Sequence, residues 1–346
     1  AASDVYKRQV MASGLENSFP RLGTVDAHPR SLPRVRGPLI GRHRLIETLK
    51  RRLDSDRLCT LVGPGGVGKT RAAIDTAEHL VAAFPDGAWF CRLRDLETAD
   101  AMASAIAEVM RIDIADPALA TPTLLSSLGD RAALLVLDGC EAAPGAVCDL
   151  IEELLDSCPT VRVVATSRER LRLRVGQVVV DPLDVPPPTL VEPDEIGVWP
   201  AVELFMERAR GSAPDFVLTP ENAGTIADIC RDLDGLPLAL ELAAAQIATL
   251  DPTDILHRLE RHVALAPRDG PSIGAVVSWS YDTLSDSLKR LFARLAVFDG
   301  GFDLAAVEAV CADDTVALGD VGSMLTDLID KSLLRTSRES GAVRFW

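Results

Sequence analysis

The chain has 346 residues, of which 47% are hydrophobic and 25% are charged, a composition typical of a globular protein with two or three domains. Its formal net charge is −15, so it lacks the basic character of most nucleic-acid-binding domains. No apolar run reaches the roughly 18 residues of a membrane span, and no charged-then-apolar leader marks secretion. We therefore expect a cytoplasmic protein without a membrane partner.

Seven cysteines are scattered along the chain, and none of them forms a Cys-x-x-Cys pair. This spacing fits neither a zinc site nor a disulfide framework, and the five histidines form no ligand cluster. We therefore predict that the cysteines are small core residues in a reducing compartment.

The first 36 residues are predicted to precede the folded part of the chain. Residues 1–9, AASDVYKRQ, resemble the translation of a sequencing adapter and are interpreted as an artefact. Residues 10–36 contain three prolines and few periodic apolar residues, which predicts a linker. Because the chain also stops at Trp346, inside a predicted strand, we expect a fragment of a longer protein. Apolar residues at helical spacing predict a helix over HRLIETLKRRL.

The stretch LCTLVGPGGVGKT, residues 58–70, carries the strongest functional signal. Its first five residues predict a buried strand, and residues 63–70 match the phosphate-loop pattern G-x-x-x-x-G-K-T. Glycines let backbone N–H groups approach the phosphates of a nucleotide. Lys69 adds a positive charge, Thr70 offers a hydroxyl to Mg²⁺, and the helix that follows points its positive end at the anion. The sequence therefore predicts nucleotide binding.

Two later strands end in polar residues that suit such a site. Apolar residues 132–137 lead into Asp138, whose carboxylate would hold the Mg²⁺ shell at the end of its strand. The alternative is an ordinary acidic turn residue. Residues 161–165 lead to Arg168, which could reach the γ phosphate and report its presence. The alternative is a surface arginine, because three more arginines follow closely.

Strands and helices alternate over this part of the chain, with further short strands predicted at 88–91 and 177–180 and a helix at 101–112. This order predicts an α/β P-loop NTPase domain at 37–195, with a parallel sheet and helices on both faces. Lys69, Asp138 and Arg168 would share the carboxyl edge of that sheet.

An all-α helical domain is predicted at 196–268. Its four helices are expected at 201–210, 220–234, 237–250 and 252–262. Thr219 before Pro220 is typical of a helix cap followed by a first-turn proline. Gly235 ends one helix and Pro237 opens the next, a corner that by itself indicates packing.

The last region, 269–346, is predicted to be a truncated winged-helix domain. Helices at 275–284, 287–298, 304–311 and 321–332 would precede a hairpin of strands 333–336 and 343–346. From residue 272 onward there are seven basic and eleven acidic residues, and helix 321–332 carries Asp327 and Asp330 but only Lys331. We therefore expect this module to pack on the nucleotide domain rather than to bind DNA.

Taken together, the motifs resemble the STAND class of signal-transduction ATPases in its NB-ARC form, and in particular the ATPase segment of bacterial AfsR and LuxR-related regulators. The matching segments, in the order of that family over residues 37–346, are LIGRHRLIETL, GPGGVGKTR, LLVLDGCE, VVATSRERL, PAVELFMERA, GLPLALELAAA, WSYDTLS, LFARLAVFDGGF and LTDLIDKSLL. The segment SGLENSFPRLGTVDAHPRSLP also resembles the linker that follows a class III nucleotide cyclase domain.

This resemblance implies a switch between ATP and ADP, with Mg²⁺ as the metal, nucleotide-dependent self-association, and DNA binding only through a domain outside this sequence. It implies adenine contacts for Ile40, Gly41 and Arg42, a packing contact of Pro237 with the nucleotide, and a γ-phosphate sensor in Arg168. Metal binding is implied for Thr70 and Asp138. The implied contacts of the loop with the nucleotide are Gly63, Gly65, Gly66, Val67, Gly68, Lys69, Thr70 and Arg71.

One departure from the family bears on catalysis. Related ATPases keep a carboxylate directly after the Mg²⁺ aspartate, where it activates water, whereas this chain has Gly139. Glu141 is the nearest substitute. Because positioning of the attacking water supplies much of the rate, we predict slow ATP hydrolysis at most. A turnover ATPase and a DNA-binding winged-helix protein are the alternatives.

Overall fold

The structure is a computed structural model, and it describes residues 30–35, 37–173, 176–263, 281, 284–298, 301–313, 316–330, 333–334, 336–339 and 342–345. The adapter-like residues 1–9, most of the predicted linker and nearly all of the predicted helix 275–284 lie outside the described residues.

A six-stranded parallel sheet forms the first unit of the fold. Its strands are β1 Arg30–Ser31, β2 Leu58–Val62, β3 Ala88–Arg92, β4 Leu134–Asp138, β5 Arg162–Ser167 and β6 Gln177–Val179. Their spatial order is β1-β3-β4-β5-β2-β6, and every pairing is parallel. Every residue of β2 and β4 is buried, which explains why these strands are continuous apolar runs in the sequence.

Helices cover both faces of this sheet, as predicted. They are α1 His43–Asp56, α2 Lys69–Leu80, α3 Ala99–Val109, α4 Ala120–Leu128 and α5 Pro144–Ser157. One core lies between the sheet and α1 and α2, and a second lies on the opposite face under α3, α4 and α5. Neither α4 nor α5 was predicted. The signal for α5 was available, because it begins at a first-turn proline and buries Val147, Ile151 and Leu154 at helical spacing.

The predicted linker contributes the edge strand β1. Arg30 pairs with Ala88 and Ser31 with Trp89, so this segment extends the sheet beyond β3. A strand of two residues close to a proline leaves no periodic pattern, which is why the sequence indicated only a linker.

A helical unit follows the sheet. Its helices are α6 Pro193–Ile196, α7 Pro200–Ser212, α8 Pro220–Asp232, α9 Pro237–Ala245 and α10 Pro252–Val263. Each begins with proline, whose fixed φ and missing N–H suit the first helical turn. The helix predicted over 237–250 is shorter than expected, because α9 gives way to a 3-10 turn at Gln246–Ala248.

The C-terminal region contains α11 Asp286–Leu295, α12 Leu304–Cys311, α13 Val321–Asp330 and an antiparallel hairpin of β7 Thr336–Glu339 and β8 Ala342–Phe345. The predicted hairpin is therefore present, but its first strand lies three residues later than expected. Leu334 is buried in the core of this region, and Leu333 also packs against the helical unit. Apolar residues predicted to form a strand instead anchor the connection before it.

All seven cysteines are buried and free, as predicted. Burial raises the pKa of Cys59 and of Cys91 to about 12. Because the thiolate is the reactive form, we expect negligible reaction of the native protein with a thiol reagent at pH 8, and reaction of seven thiols after denaturation.

The raised pKa values also predict how the stability of the folded state changes with pH. Protonated thiols are favoured in the folded state, so their contribution is complete below the ordinary thiol pKa of 9.0 and declines as pH rises above it. If a cysteine of the native protein reacted as fast as one of the denatured protein, this result would contradict the burial of the cysteines and the raised pKa values.

Candidate functional site

Residues 63–68 form a glycine-rich loop between β2 and α2. A Cβ atom on Gly63 would lie 2.7 Å from the carbonyl oxygen of Val180, so only glycine fits there. Gly66 and Gly68 have φ angles of +75° and +96°, which glycine adopts without strain. Gly68 directly precedes the 12-residue helix α2. The loop thus places the start of a helix, where N–H groups are unsatisfied, at the carboxyl edge of the sheet.

The ammonium group of Lys69 lies over this loop. Its Nζ donates to the carbonyl oxygens of Gly63 at 2.7 Å and Pro64 at 2.9 Å. Burial is the main cause that lowers the pKa of Lys69, and four charged neighbours modify it. These neighbours are Glu141, Arg168, Asp138 and Arg94. The carboxylates raise this pKa and the arginines lower it, so charges of both signs lie near the loop.

Asp138 ends β4 beside the loop and is only 6% exposed. Thr166 donates its hydroxyl to Asp138 Oδ1 at 2.7 Å, and the hydroxyl of Thr70 is hydrogen-bonded to the same oxygen. Thr166 also accepts from the backbone N–H of Gly139 at 3.2 Å. Sequence reasoning missed Thr166, although its position at the end of a strand next to β4 could have indicated it.

The donor set around Asp138 fits Mg²⁺. This ion keeps several waters and uses one or two carboxylates together with phosphate oxygens, and one carboxylate beside the Thr70 hydroxyl provides that. In the described part of the chain, no group of three or more His, Cys, Asp or Glu side chains could hold a metal ion by itself.

The predicted sensor and the predicted base are paired with each other. Arg168 Nε lies 3.2 Å from Glu141 Oε1, and the backbone N–H of Arg168 donates to Glu141 Oε2 at 3.3 Å. The side chain of Arg168 is 59% exposed and that of Glu141 is 20% exposed. Exposed ion pairs contribute little, about 0–1 kcal/mol, so Arg168 can exchange its partner for a stronger anion.

Of the residues predicted to contact adenine, one reaches the loop and the other two pack against the helical unit and the connector before it. Ile40 is buried, and Gly41 has a φ angle of +67° with no room for a side chain next to Pro200. Arg42 is 9% exposed, and its guanidinium donates to the carbonyl oxygen of Val67 at 3.0 Å. Burial lowers the pKa of Arg42, and nearby aspartates oppose the effect. The side chain of Arg42 thus supports the backbone of the loop directly.

The helical unit is hydrogen-bonded to the loop. The N–H of Leu238, in the first turn of α9, donates to the carbonyl oxygen of Gly66 at 3.2 Å. Leu183 N–H donates to the carbonyl oxygen of Gly235 at 2.9 Å, which ties the connector after the sheet to the same corner. Gly235 has a φ angle of +63°. This corner, whose residues by themselves indicated packing and for which the family resemblance implied a nucleotide contact at Pro237, is therefore in contact with the phosphate loop.

A cavity of about 1990 Å³ joins these elements. Gly41 and Gly63 shape the backbone around it without lining it. Most of the predicted site residues line it, namely Ile40, Arg42, Gly65, Gly66, Val67, Gly68, Lys69, Thr70, Arg71, Asp138, Glu141, Arg168 and Pro237. The C-terminal region contributes Asp327, Leu333 and Thr336 to the far wall. One space is thus bounded by all three parts of the chain.

None of the helices within the described ranges combines the length and the apolar character that crossing a membrane requires.

Comparison with known proteins places the chain in a family. Residues 284–346 match the model of the winged helix-turn-helix domain. The uncharacterized protein Rv0894 of Mycobacterium tuberculosis is 35% identical over 310 residues, which cover 87% of this chain and 76% of that protein. Rv0890c of the same species, which is named as an HTH-type transcriptional regulator, is 36% identical over 85% of this chain and 32% of its own length.

The regulatory protein AfsR of Streptomyces coelicolor is 29% identical over 82% of this chain, and the match spans 28% of AfsR. Among solved structures, the STAND protein PH0952 of Pyrococcus horikoshii, which has a tetratricopeptide repeat sensor, aligns with a TM-score of 0.53 and 17% identity. That alignment covers 92% of this chain and 42% of PH0952, and it shows a shared fold.

These findings confirm the resemblance seen in the motifs, whereas the link to a cyclase domain stays a prediction. The chain belongs to the same family as Rv0894, and it is similar in sequence to Rv0890c and to AfsR.

Proposed function

We propose that this chain is an ATP/ADP-binding switch of a bacterial signal-transduction or transcription regulator, in which nucleotide exchange controls the opening of the helical and winged-helix units and self-association. The observation that supports it most is the hydrogen bond from Leu238 N–H to the Gly66 carbonyl oxygen at 3.2 Å. Because this hydrogen bond joins the phosphate loop to the first turn of α9, a change in the loop on phosphate binding would alter the contacts of α9.

Different residues of the site would bind different parts of the nucleotide. The N–H groups of the loop and Lys69 would bind the phosphates, and Pro237 would pack on the nucleotide from the helical side. Thr70 and Asp138 would hold Mg²⁺, which when bound neutralises charge on the phosphates. A ligand shifts a conformational equilibrium only by its difference in affinity for the two states. ATP and ADP must therefore differ in at least one contact.

Arg168 offers such a difference. With ADP it would keep Glu141 as its partner, as it does in this structure. A γ phosphate would offer it a more highly charged partner and stronger charge-assisted hydrogen bonds. Exchange of Glu141 for phosphate would change the loop after β5 and release the contacts that keep the units closed.

The test is to purify the chain, denature it, and identify by mass any nucleotide released, followed by sedimentation of the protein with ADP and with a non-hydrolysable ATP analogue plus Mg²⁺. We expect about one ADP per chain, and a larger hydrodynamic radius with the analogue. A folded protein that binds neither nucleotide would refute the proposal. If both nucleotides bind but the hydrodynamic radius is the same with each, nucleotide binding would be supported and the switch refuted.

Glu141 distinguishes this proposal from a turnover ATPase. A general base contributes roughly 10²–10⁴-fold to a rate, so a base at this position would make phosphate release collapse in Glu141→Gln. We instead expect phosphate release within about twofold of wild type, because Glu141 stands three residues after Asp138 and not at the position directly after it. Glu169→Gln, an exposed neighbour, is the matched control. A hundredfold fall in Glu141→Gln alone would favour turnover.

A second candidate function is DNA binding, favoured by the match of residues 284–346 to the winged helix-turn-helix model. The charge of this region opposes it, because α13 exposes Asp327. Salt-sensitive binding to a DNA duplex would support this function, and no shift at low ionic strength would dismiss it.

A further inference from the structure

Arg94 lies at the carboxyl edge of the sheet, two residues after the end of β3. Its neighbour Arg92 pairs in register with Asp138, and the N–H of Leu93 donates to the carbonyl oxygen of Asp138 at 2.8 Å. Leu93 is fully buried, whereas Arg94 is exposed and lines the cavity of the candidate site. The backbone thus places an arginine beside the predicted Mg²⁺ carboxylate.

Arg94 packs against Gly139, the residue directly after Asp138. Gly139 has a φ angle of +83°, and a Cβ atom built on it would lie 3.2 Å from the Cβ of Arg94 and 3.3 Å from its Cα. A side chain at position 139 would therefore be strained and crowded. Position 139 therefore provides no carboxylate, and Arg94 lies directly beside it.

The guanidinium of Arg94 makes no hydrogen bond or ion pair with any residue that the structure describes. Two nearby cations of the site are engaged, Lys69 with loop carbonyls and Arg168 with Glu141. Arg94 nevertheless lies close enough to Lys69 to lower its pKa. An unpaired guanidinium that lines a cavity is suited to bind an anion through charge-assisted hydrogen bonds.

We infer that Arg94 is a specificity-determining residue of this site, which binds the terminal phosphate of a nucleoside triphosphate and so favours ATP over ADP. This inference rests on the proposed function. The loop and Lys69 hold the phosphates common to both nucleotides, whereas Arg94 lies farther along the sheet edge, beside Asp138 and Gly139. In this binding mode, only the third phosphate of a triphosphate would extend toward that edge.

The test uses the whole chain and the variants Arg94→Gln and Arg94→Lys, with Arg170→Gln as a control, since Arg170 is an exposed arginine that does not line the cavity. Calorimetry would give the dissociation constants for Mg²⁺ with a non-hydrolysable ATP analogue and for ADP. In Arg94→Gln we expect the analogue to bind about tenfold more weakly, the size of one charge-assisted hydrogen bond. ADP binding should change less than about twofold, Arg94→Lys should recover part of the loss, and the control should match wild type.

Equal weakening for both nucleotides in Arg94→Gln would overturn the inference, because it would indicate a general disturbance of the loop. Unchanged binding of the analogue would overturn it as well, while the proposed function stands if wild type still binds both nucleotides. A wild-type protein that binds neither would overturn both. Thermal unfolding without nucleotide should give the same midpoint for all variants, since both arginine side chains are exposed.

Discussion

Replacement of Lys69 by alanine is expected to lower the affinity for ADP and for ATP by at least about a hundredfold. Lys69 Nζ is held at the loop by the carbonyl oxygens of Gly63 and Pro64, so its charge is positioned before any phosphate arrives. Hydrogen bonds to charged groups contribute roughly 1.5–3 kcal/mol each, and each 1.4 kcal/mol is about a factor of ten in affinity. A lysine shared by two phosphates makes at least two such contacts.

Calorimetric titration of both nucleotides into Lys69→Ala measures this loss. Lys50→Ala is the matched control, because Lys50 lies on α1, does not line the cavity, and pairs with its helix neighbour Glu47 in a partly exposed contact. The control should bind nucleotide as wild type does. If Lys69→Ala kept its affinity within a few fold, the loop would not be the phosphate site.

Replacement of Gly235 by alanine should cause a large loss of stability for the addition of a single methyl group. The new Cβ would lie 2.0 Å from the carbonyl oxygen of Leu183, and the φ angle of +63° costs about 1–2 kcal/mol for a side-chain-bearing residue. Relief of the clash would break the hydrogen bond from Leu183 N–H to the carbonyl oxygen of Gly235. We expect the free energy of unfolding, measured by urea denaturation, to fall by about 3 kcal/mol in total.

Gly224→Ala is the control for this variant, because Gly224 lies inside α8 with open space around its Cβ position. Alanine there should stabilise the helix by about 0.5–1 kcal/mol. Opposite signs for the two variants would show that the geometry at Gly235, rather than added bulk, sets the loss. Destabilisation of similar size in both would contradict this view.

The sheet could be predicted from the sequence because each central strand is buried on both faces and is therefore an uninterrupted apolar run. The short elements could not. Strand β1 has two residues and is defined only by its pairing with β3, and the first strand of the hairpin was misplaced because Leu333 and Leu334 are apolar for reasons of packing.

The residues of the candidate site also fall into some that the sequence predicts and others that it does not. Lys69, Thr70 and Asp138 belong to motifs with fixed spacing, and the structure brings them together as predicted. The pairing of Arg168 with Glu141 depends on how two loops approach each other, which no local pattern encodes. Arg94 and Thr166 were missed because an exposed arginine and a strand-end threonine are common, and only their proximity to Asp138 gives them meaning.

The edge strand β1 has a practical consequence for anyone who trims the chain. A fragment that starts at residue 37, where the ATPase domain was predicted to begin, loses the partner of Ala88 and Trp89. The N–H and C=O groups along that side of β3 would then be open, and open strand edges invite pairing with other molecules. Such a fragment is expected to aggregate through β3, whereas a boundary placed upstream of Arg30 keeps this edge covered.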